Sequence, residues 1–407
     1  MVLLVFLTFF VISFITNIIG PLIPDIINDF DLNFTLVALL PFSFFIAYGI
    51  ISIPSGMLIQ KIGEKPVMIV AFGLAFIGSS IFASFPNYSL AVISLFLIGS
   101  GMAMLQVVIN PLLRVAGGEE NFAFNATLAQ LIFGLASFFS PFAFSYFVLN
   151  LNQSSIENNW FLDFFNFITP DHLLWISLYW LFAIISIIMI VIIVLFNFPR
   201  VELKHDEKIG TIKTHISLLR NPVVIIYFFG IFTYVGLEQG VANWISKFLE
   251  IYHSYDPQII GAKTISWFWG LMTAGGIFGV ILLKIIDSKV VLKVFTGFTM
   301  ISLFLALFMP GPIALIAFPA VGFFAAVMYP IIFSLALNSL SEHHGTFSGI
   351  LVTGIFGGAV VPLIVGVLGD YYGLRNGMLF LFIPLFFILF IGFWAKPIIS
   401  NKTVLNN

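Results

Sequence analysis

The chain has 407 residues, of which 60% are hydrophobic and only 8% charged, with a net charge of −2. Soluble domains carry about 25% charged residues, so this chain cannot cover a water-facing surface and needs lipid as the solvent for most of its length. The near-neutral charge gives no reason to expect a nucleic-acid partner, and the absence of cysteine excludes disulfides, thiolate metal ligands and thiol nucleophiles.

A membrane-spanning helix needs about 20 mostly apolar residues. Twelve segments satisfy this, at 2–28, 34–60, 65–84, 88–112, 122–150, 172–198, 221–249, 257–283, 288–309, 311–340, 344–369 and 373–396. The predicted fold class is an all-α polytopic membrane protein. The first segment starts at Met1 with no basic stretch and no small-residue cleavage pattern, so it is expected to stay as a helix rather than be removed as a signal peptide. It contains Asn17, Gly20, Pro21 and Pro24. A proline inside a span removes a backbone hydrogen bond, and the freed carbonyl must face protein or water. Either the helix breaks beside a cavity, or it bends for packing near a membrane exit marked by Asp25.

The turn after the second segment reads Gly56-Met57-Leu58-Ile59-Gln60-Lys61-Ile62-Gly63-Glu64-Lys65, in which the glycines permit a tight hairpin. The fourth segment sets Gln106 and Asn110 four residues apart, hence on one helix face. A polar hairpin, Arg114 to Asn121, leads to the fifth segment with Asn125 and Gln130. Amides in apolar runs need hydrogen-bond partners, and intramembrane polar groups face interiors or water. The stretch Met104–Pro141 therefore reads as one wall of a polar cavity, with interhelical hydrogen bonding as the other reading. Amides donate and accept, which suits the hydroxyls of a sugar.

Between Asn150 and Asp171 there is no basic residue, and Trp160, Phe161, Phe164 and Phe165 suit a membrane interface. The seventh segment holds Glu238, the only acid well inside a span, followed by the amide pair Gln239 and Asn243 and by Trp244. An ionised carboxylate in a span costs at least about 2.5–3.5 kcal/mol unless solvated or paired. Glu238 either binds solute hydroxyls or takes up a coupling cation, or it is a protonated, hydrogen-bonded tie between helices. In the eighth segment Trp267 and Trp269 can stack on a sugar ring or pack against lipid and protein. The six histidines lie in or near loops, so no catalytic residue and no metal site is expected.

The connections alternate in charge. Those after the second, fourth, sixth, eighth and tenth segments, with the C-terminal tail, hold 13 of the 16 basic residues; only Lys247, Lys263 and Arg375 fall on the other side. The positive-inside rule puts both termini in the cytoplasm. The longest basic connection divides the chain into a bundle at 1–198, a central loop at 199–220, a second bundle at 221–396 and a tail at 397–407. A weak echo relates the halves. Asn110-Pro111, a hairpin, Ile132-Phe133-Gly134 and Pro141 parallel Tyr329-Pro330, a hairpin, Ile355-Phe356-Gly357 and Pro362, with 30 and 32 residues between the prolines. Such repeats with a site at their interface are a common transporter design.

The Gly-x-Leu-x-x-Lys-x-Gly-x-Lys turn at 56–65, with twelve spans and a basic central loop, resembles the major facilitator superfamily, although Gln60 stands where that family has an acid. Asn110-Pro111-Leu112-Leu113-Arg114-Val115-Ala116-Gly117, followed by Asn125-Ala126-Thr127-Leu128-Ala129-Gln130, is similar to the signature of the fucose–proton symporter family, which includes glucose/galactose transporters. Tyr234-Val235-Gly236-Leu237-Glu238, Tyr329-Pro330-Ile331-Ile332-Phe333-Ser334-Leu335 and Gly357-Gly358-Ala359-Val360-Val361-Pro362 also match it. The resemblance implies two six-helix bundles rocking around a central sugar site. It also implies coupling carboxylates in the first and fourth helices, at positions that hold Gly20 and Gln106 here.

The expectation is a secondary active sugar transporter of the bacterial inner membrane, not an enzyme, acting as a monomer without cofactor. The coupling ion is a proton or sodium, taken by Glu238. Substrate ligands are expected among Asn17, Gln106, Asn110, Gln130, Gln239, Asn243 and Trp267. The alternatives are carriage of another polar solute, such as an amino sugar or cell-wall fragment, and passive transport. An intramembrane transferase is the remote third.

Overall fold

The computed structural model describes residues 1–118, 122–151, 159–198, 212–340 and 342–398, together with the backbone but not the side chains of Asn110, Phe122, Ala123, Ile212 and Lys213. The hairpin acids Glu119 and Glu120, most of the central loop and most of the tail fall outside the described residues. Among the described residues twelve helices are long and apolar enough to cross a membrane. In chain order they are α1 Val2–Phe30, α2 Phe34–Ile62, α3 Glu64–Ser84, α4 Tyr88–Gly117, α5 Phe122–Asn150, α6 Leu174–Leu195, α7 Pro222–Ala242, α8 Pro257–Leu283, α9 Ser288–Phe308, α10 Gly311–Leu337, α11 His344–Tyr372 and α12 Leu374–Trp394. All twelve coincide with the segments read from hydropathy. Their outer faces expose apolar side chains such as Leu195, Ile316, Phe386 and Phe393, as lipid contact requires.

Local chemistry explains where the helices start. Asn33, Asn87 and Asn221 accept hydrogen bonds from first-turn N–H groups of α2, α4 and α7, and Asp287 does the same for α9. These are preferred N-cap residues, and Pro222 sits where its missing N–H costs nothing. The α2–α3 hairpin turns on Gly63 at φ +83°, a left-handed conformation that glycine adopts without strain. The aromatic connection after α5 contains a short helix, Trp160–Ile168. Trp160, Phe164 and Phe167 on it are exposed, while Leu162 and Phe165 are buried.

Lipid gives helices no hydrophobic reason to associate, so close packing through small residues does much of the work. Gly99 lies against the Phe44 carbonyl, Gly101 against that of Ala71, Gly275 against that of Phe323 and Gly357 against that of Phe232. A side chain at Gly357 would collide with backbone, which cannot rotate away. Gly357→Ala is therefore expected to destabilise the protein by about 1–3 kcal/mol, read as a lowered thermal midpoint in detergent; an unchanged midpoint contradicts the packing.

Several spans are not continuous helices. α1 is interrupted at Asn17–Ile18, and a break at Asn243–Trp244 ends α7 before a further helix, Ile245–His253. α10 breaks at Ala326–Val327, and α11 passes through a tight turn at Gly354–Phe356. Two six-helix bundles result, α1–α6 and α7–α12.

The bundles touch most closely at the end opposite the termini. Gly20 of α1 faces the Ala242 carbonyl, which a Cβ would meet at 2.6 Å. Gln258 donates to Asp25 at 3.0 Å, and the Phe34 and Trp244 rings meet edge-on at 5.7 Å. Gly366 packs on Phe34 and Ala38. Along α5 and α8 the seam then opens. Gly270 lies against Phe138 and Gly134 against Thr273, but beyond its own chain neighbours and nearby helix backbone nothing lies within 4 Å of a Cβ built on Gly276. Gln130 and Thr127, on the face of α5 that carries Gly134, are exposed, as is Ile277, four residues after Thr273. Along the α5–α8 seam the bundles are closed at the end away from the termini and parted towards the end that carries them, while α2 and α11 stay in contact at Gly49 and Phe356.

Candidate functional site

The broken helices α1 and α7 lie on either side of this boundary. Asn17, at the interruption of α1, is buried. Its Nδ2 donates to Ser137 Oγ of α5 at 2.8 Å, and Ser13 Oγ lies 2.6 Å from Ser137 Oγ and 2.5 Å from the Phe133 carbonyl. The serines absorb the amide's donor. Its acceptor, Oδ1, is buried without a partner. A buried unpaired polar atom is costly, and this one remains able to accept a hydrogen bond.

On α7, Gly236 packs against Val361 and Gly357, and Gly240 against Leu381 and Val361. At about 100° per residue, Glu238 projects from the opposite side. It shares a face with Tyr234 and with Ala242, whose carbonyl meets Gly20. Glu238 is thus aimed along the boundary between bundles, one turn from the closed contact and towards the open end. It is half-buried, and Gln239 Nε2 donates to its Oε1 at 3.2 Å. Tyr234, one turn earlier on the same face, is the neighbouring side chain. The Tyr234 ring lies 5.7 Å from that of Tyr329 on α10, which stacks on Phe333 at 5.8 Å. Gln239 and Tyr234 are both neutral, so a cation or water must balance the carboxylate if it ionises. Among the described residues no group of three or more His, Asp and Glu side chains is arranged to hold a metal ion.

Gln239 is buried, with its side chain against Gly358 of α11, whose other neighbour is Phe45 of α2. Asn243 is buried, and its Nδ2 has no partner. Its Cα would lie 3.4 Å from a Cβ on Gly20. The halves therefore present matching features, a buried asparagine with an unpaired polar atom at the break of each inner helix. Trp269 of α8 is buried with its indole N–H also unpaired. It sits one turn from Thr273, which packs on Gly134, so it belongs to the same region as Asn17 and α5.

The structure thus gathers Asn17, Glu238, Gln239 and Asn243 on the two inner helices, with Gln130 exposed where α5 and α8 part. Gln106 is half-buried on α4, and the side chain of Asn110 lies outside the described residues. Trp267 is 47% exposed and meets Phe138 edge-on at 5.6 Å. It shares an exposed helix face with Lys263 and Ile259. The serines that hold Asn17 were not singled out by sequence, and the tyrosines Tyr234 and Tyr329 entered only as members of family motifs and of the repeat, with no role at Glu238. Serine is common in spans, and a tyrosine declares its role only when the neighbouring helix is known.

Comparison with known proteins agrees with this architecture. Residues 5–361 match a family model described as Major Facilitator Superfamily. The glucose/galactose transporter of Brucella abortus biovar 1 (strain 9-941) is 33% identical over 395 residues, covering 95% of this chain and 92% of that protein. The L-fucose-proton symporter of Escherichia coli (strain K12) is 25% identical over 390 residues, covering 90% and 86%. Among solved structures, the major facilitator transporter FucP in its outward conformation superposes with a TM-score of 0.69 at 23% identity, over 97% of this chain and 98% of that one. A bacterial homologue of the lysosomal transporter Spinster, inward-facing and unoccupied, gives the same TM-score of 0.69 at 14% identity, over 96% of each chain. Whole-chain similarity does not separate the two conformations; the contacts between bundles do.

Proposed function

The chain belongs to the major facilitator superfamily, and from that premise we propose that it carries a hexose or deoxyhexose across the inner membrane as a secondary active transporter. Membership makes it a transporter rather than an enzyme. The observation that carries the reading is the polar face along the boundary between bundles, closed at one end by Gly20 against Ala242 and open at the other. A site reached from one side at a time is the requirement of alternating access. The relatives' names, glucose/galactose transporter and L-fucose-proton symporter, support a sugar. So do Asn17, Asn243 and Trp269, whose buried unpaired atoms supply one acceptor and two donors without a fixed charge to repel a neutral solute.

Coupling falls to Glu238, because Gly20 and Gln106 cannot titrate. With basic residues gathered at the end of the termini, that end faces the cytoplasm, so the conformation seen is inward-facing. The ion is a proton or sodium, and the carrier works as a monomer. The direct test is counterflow. Proteoliposomes preloaded with unlabelled glucose, galactose or fucose are expected to accumulate the labelled sugar transiently. If none of the three does so while an amino sugar does, the substrate class is wrong.

A further inference from the structure

Four N–H groups at the start of every helix lack partners within it. In α2, Leu36 N–H is bonded by Asn33 Oδ1 at 2.8 Å and Val37 N–H by the Asn33 carbonyl at 3.1 Å. The other two, Phe34 and Thr35, are bonded by the opposite bundle. Asp370, near the end of α11, accepts from Phe34 N at 2.8 Å with one oxygen and from Thr35 N at 2.8 Å with the other. Thr35 Oγ1 donates to it as well, at 2.5 Å. Beneath this cap α2 and α11 are in contact through Gly366, against which the Phe34 carbonyl and Ala38 pack. No other polar contact between the bundles combines a carboxylate with three donors among those described; the one at Asp25 has a single donor from Gln258.

We propose that Asp370 is a positioning residue for transport: its carboxylate completes the N-terminus of α2 across the bundle boundary and so holds this end of the carrier shut. The bonds exist only while the bundles touch here. When they part, two helix-start N–H groups and a carboxylate return to water. A negative charge at a helix N-terminus is favourable through the helix dipole as well as the hydrogen bonds. The cap therefore biases the carrier towards the state open at the end of the termini, and weakening it releases the carrier to the opposite state. Its consequence for transport rests on the alternating-access reading; the bias itself needs no substrate.

The chain has no cysteine, so single introduced cysteines report access at each end. Ala38→Cys lies in the closed seam, where Ala38 is 0% exposed, and Ile277→Cys lies in the parted one, where Ile277 is 47% exposed. Each is placed in the otherwise unchanged protein and in the Asp370→Ala protein, purified in detergent, and its rate of reaction with a hydrophilic maleimide is measured. Asp370→Ala is expected to raise the Ala38→Cys rate at least roughly threefold and to lower the Ile277→Cys rate. Asp370→Asn, which keeps one acceptor oxygen, is expected to fall between. Unchanged rates overturn the proposal. So does a rise at both positions, which would mean general loosening, and so does a rise at Ala38 without the fall at Ile277, which would mean local fraying.

Discussion

Glu238→Gln is expected to abolish uphill sugar accumulation in proteoliposomes, leaving the internal concentration at its equilibrium value, while counterflow persists at a sizeable fraction of the unsubstituted rate. The substitution is nearly isosteric. Gln239 keeps a neutral acceptor beside it, and the neighbouring Tyr234 is neutral in either case. What disappears is the capacity to bear and neutralise a negative charge. An ionised carboxylate inside a span costs at least about 2.5–3.5 kcal/mol unless compensated, and its hydrogen-bond partner Gln239 is neutral. In the proposed coupling role, uptake of a cation removes that cost and links charge neutralisation to movement of the bundles. Exchange needs no net ion flux, so it survives. Unchanged accumulation by the variant would remove Glu238 from the coupling step.

Gly20→Val is expected to reduce transport severely without unfolding the protein. A Cβ at this position would lie 2.6 Å from the Ala242 carbonyl oxygen and 3.2 Å from its carbon. Those are backbone atoms, so the only relief is separation of α1 from α7. The strain, about 1–3 kcal/mol for an overpacked contact, falls on the closed state alone. A bias of that size shifts a two-state equilibrium roughly 5- to 150-fold. Labelled-sugar uptake should fall accordingly while the thermal midpoint changes little; near-normal uptake would contradict the role given to this contact. The same geometry bears on the sequence reading of Gly20 as a missing coupling acid. In this conformation no acid would fit, because the position is filled by the other bundle's backbone.

The fold was legible because the bilayer imposes it. Length and apolarity define the spans, and the basic connections fix their alternation, so all twelve helices could be read in advance. The interruption of α1 was legible in part, since Asn17, Pro21 and Pro24 announce irregularity. The break after α7 was not. Asn243–Trp244 contains neither proline nor glycine, and the chain departs from helix there while Trp244 inserts beneath Phe34 and bonds the Pro362 carbonyl at 3.3 Å. That is a tertiary cause with no local signature. Polar residues inside spans, Glu238 above all, could be singled out by cost alone, but their partners could not. Ser137 and Tyr329 come from helices far away in sequence. Asp370 was invisible for another reason: an acid near a helix end looks like ordinary surface until the facing helix start is seen.

The most direct test of the account is uptake of labelled hexose by the purified protein in proteoliposomes, with inward proton and sodium gradients imposed separately. Accumulation above equilibrium is expected under one of the two gradients, and its loss in Glu238→Gln. Equilibration without accumulation under both gradients would contradict it, leaving a passive carrier in place of a coupled one.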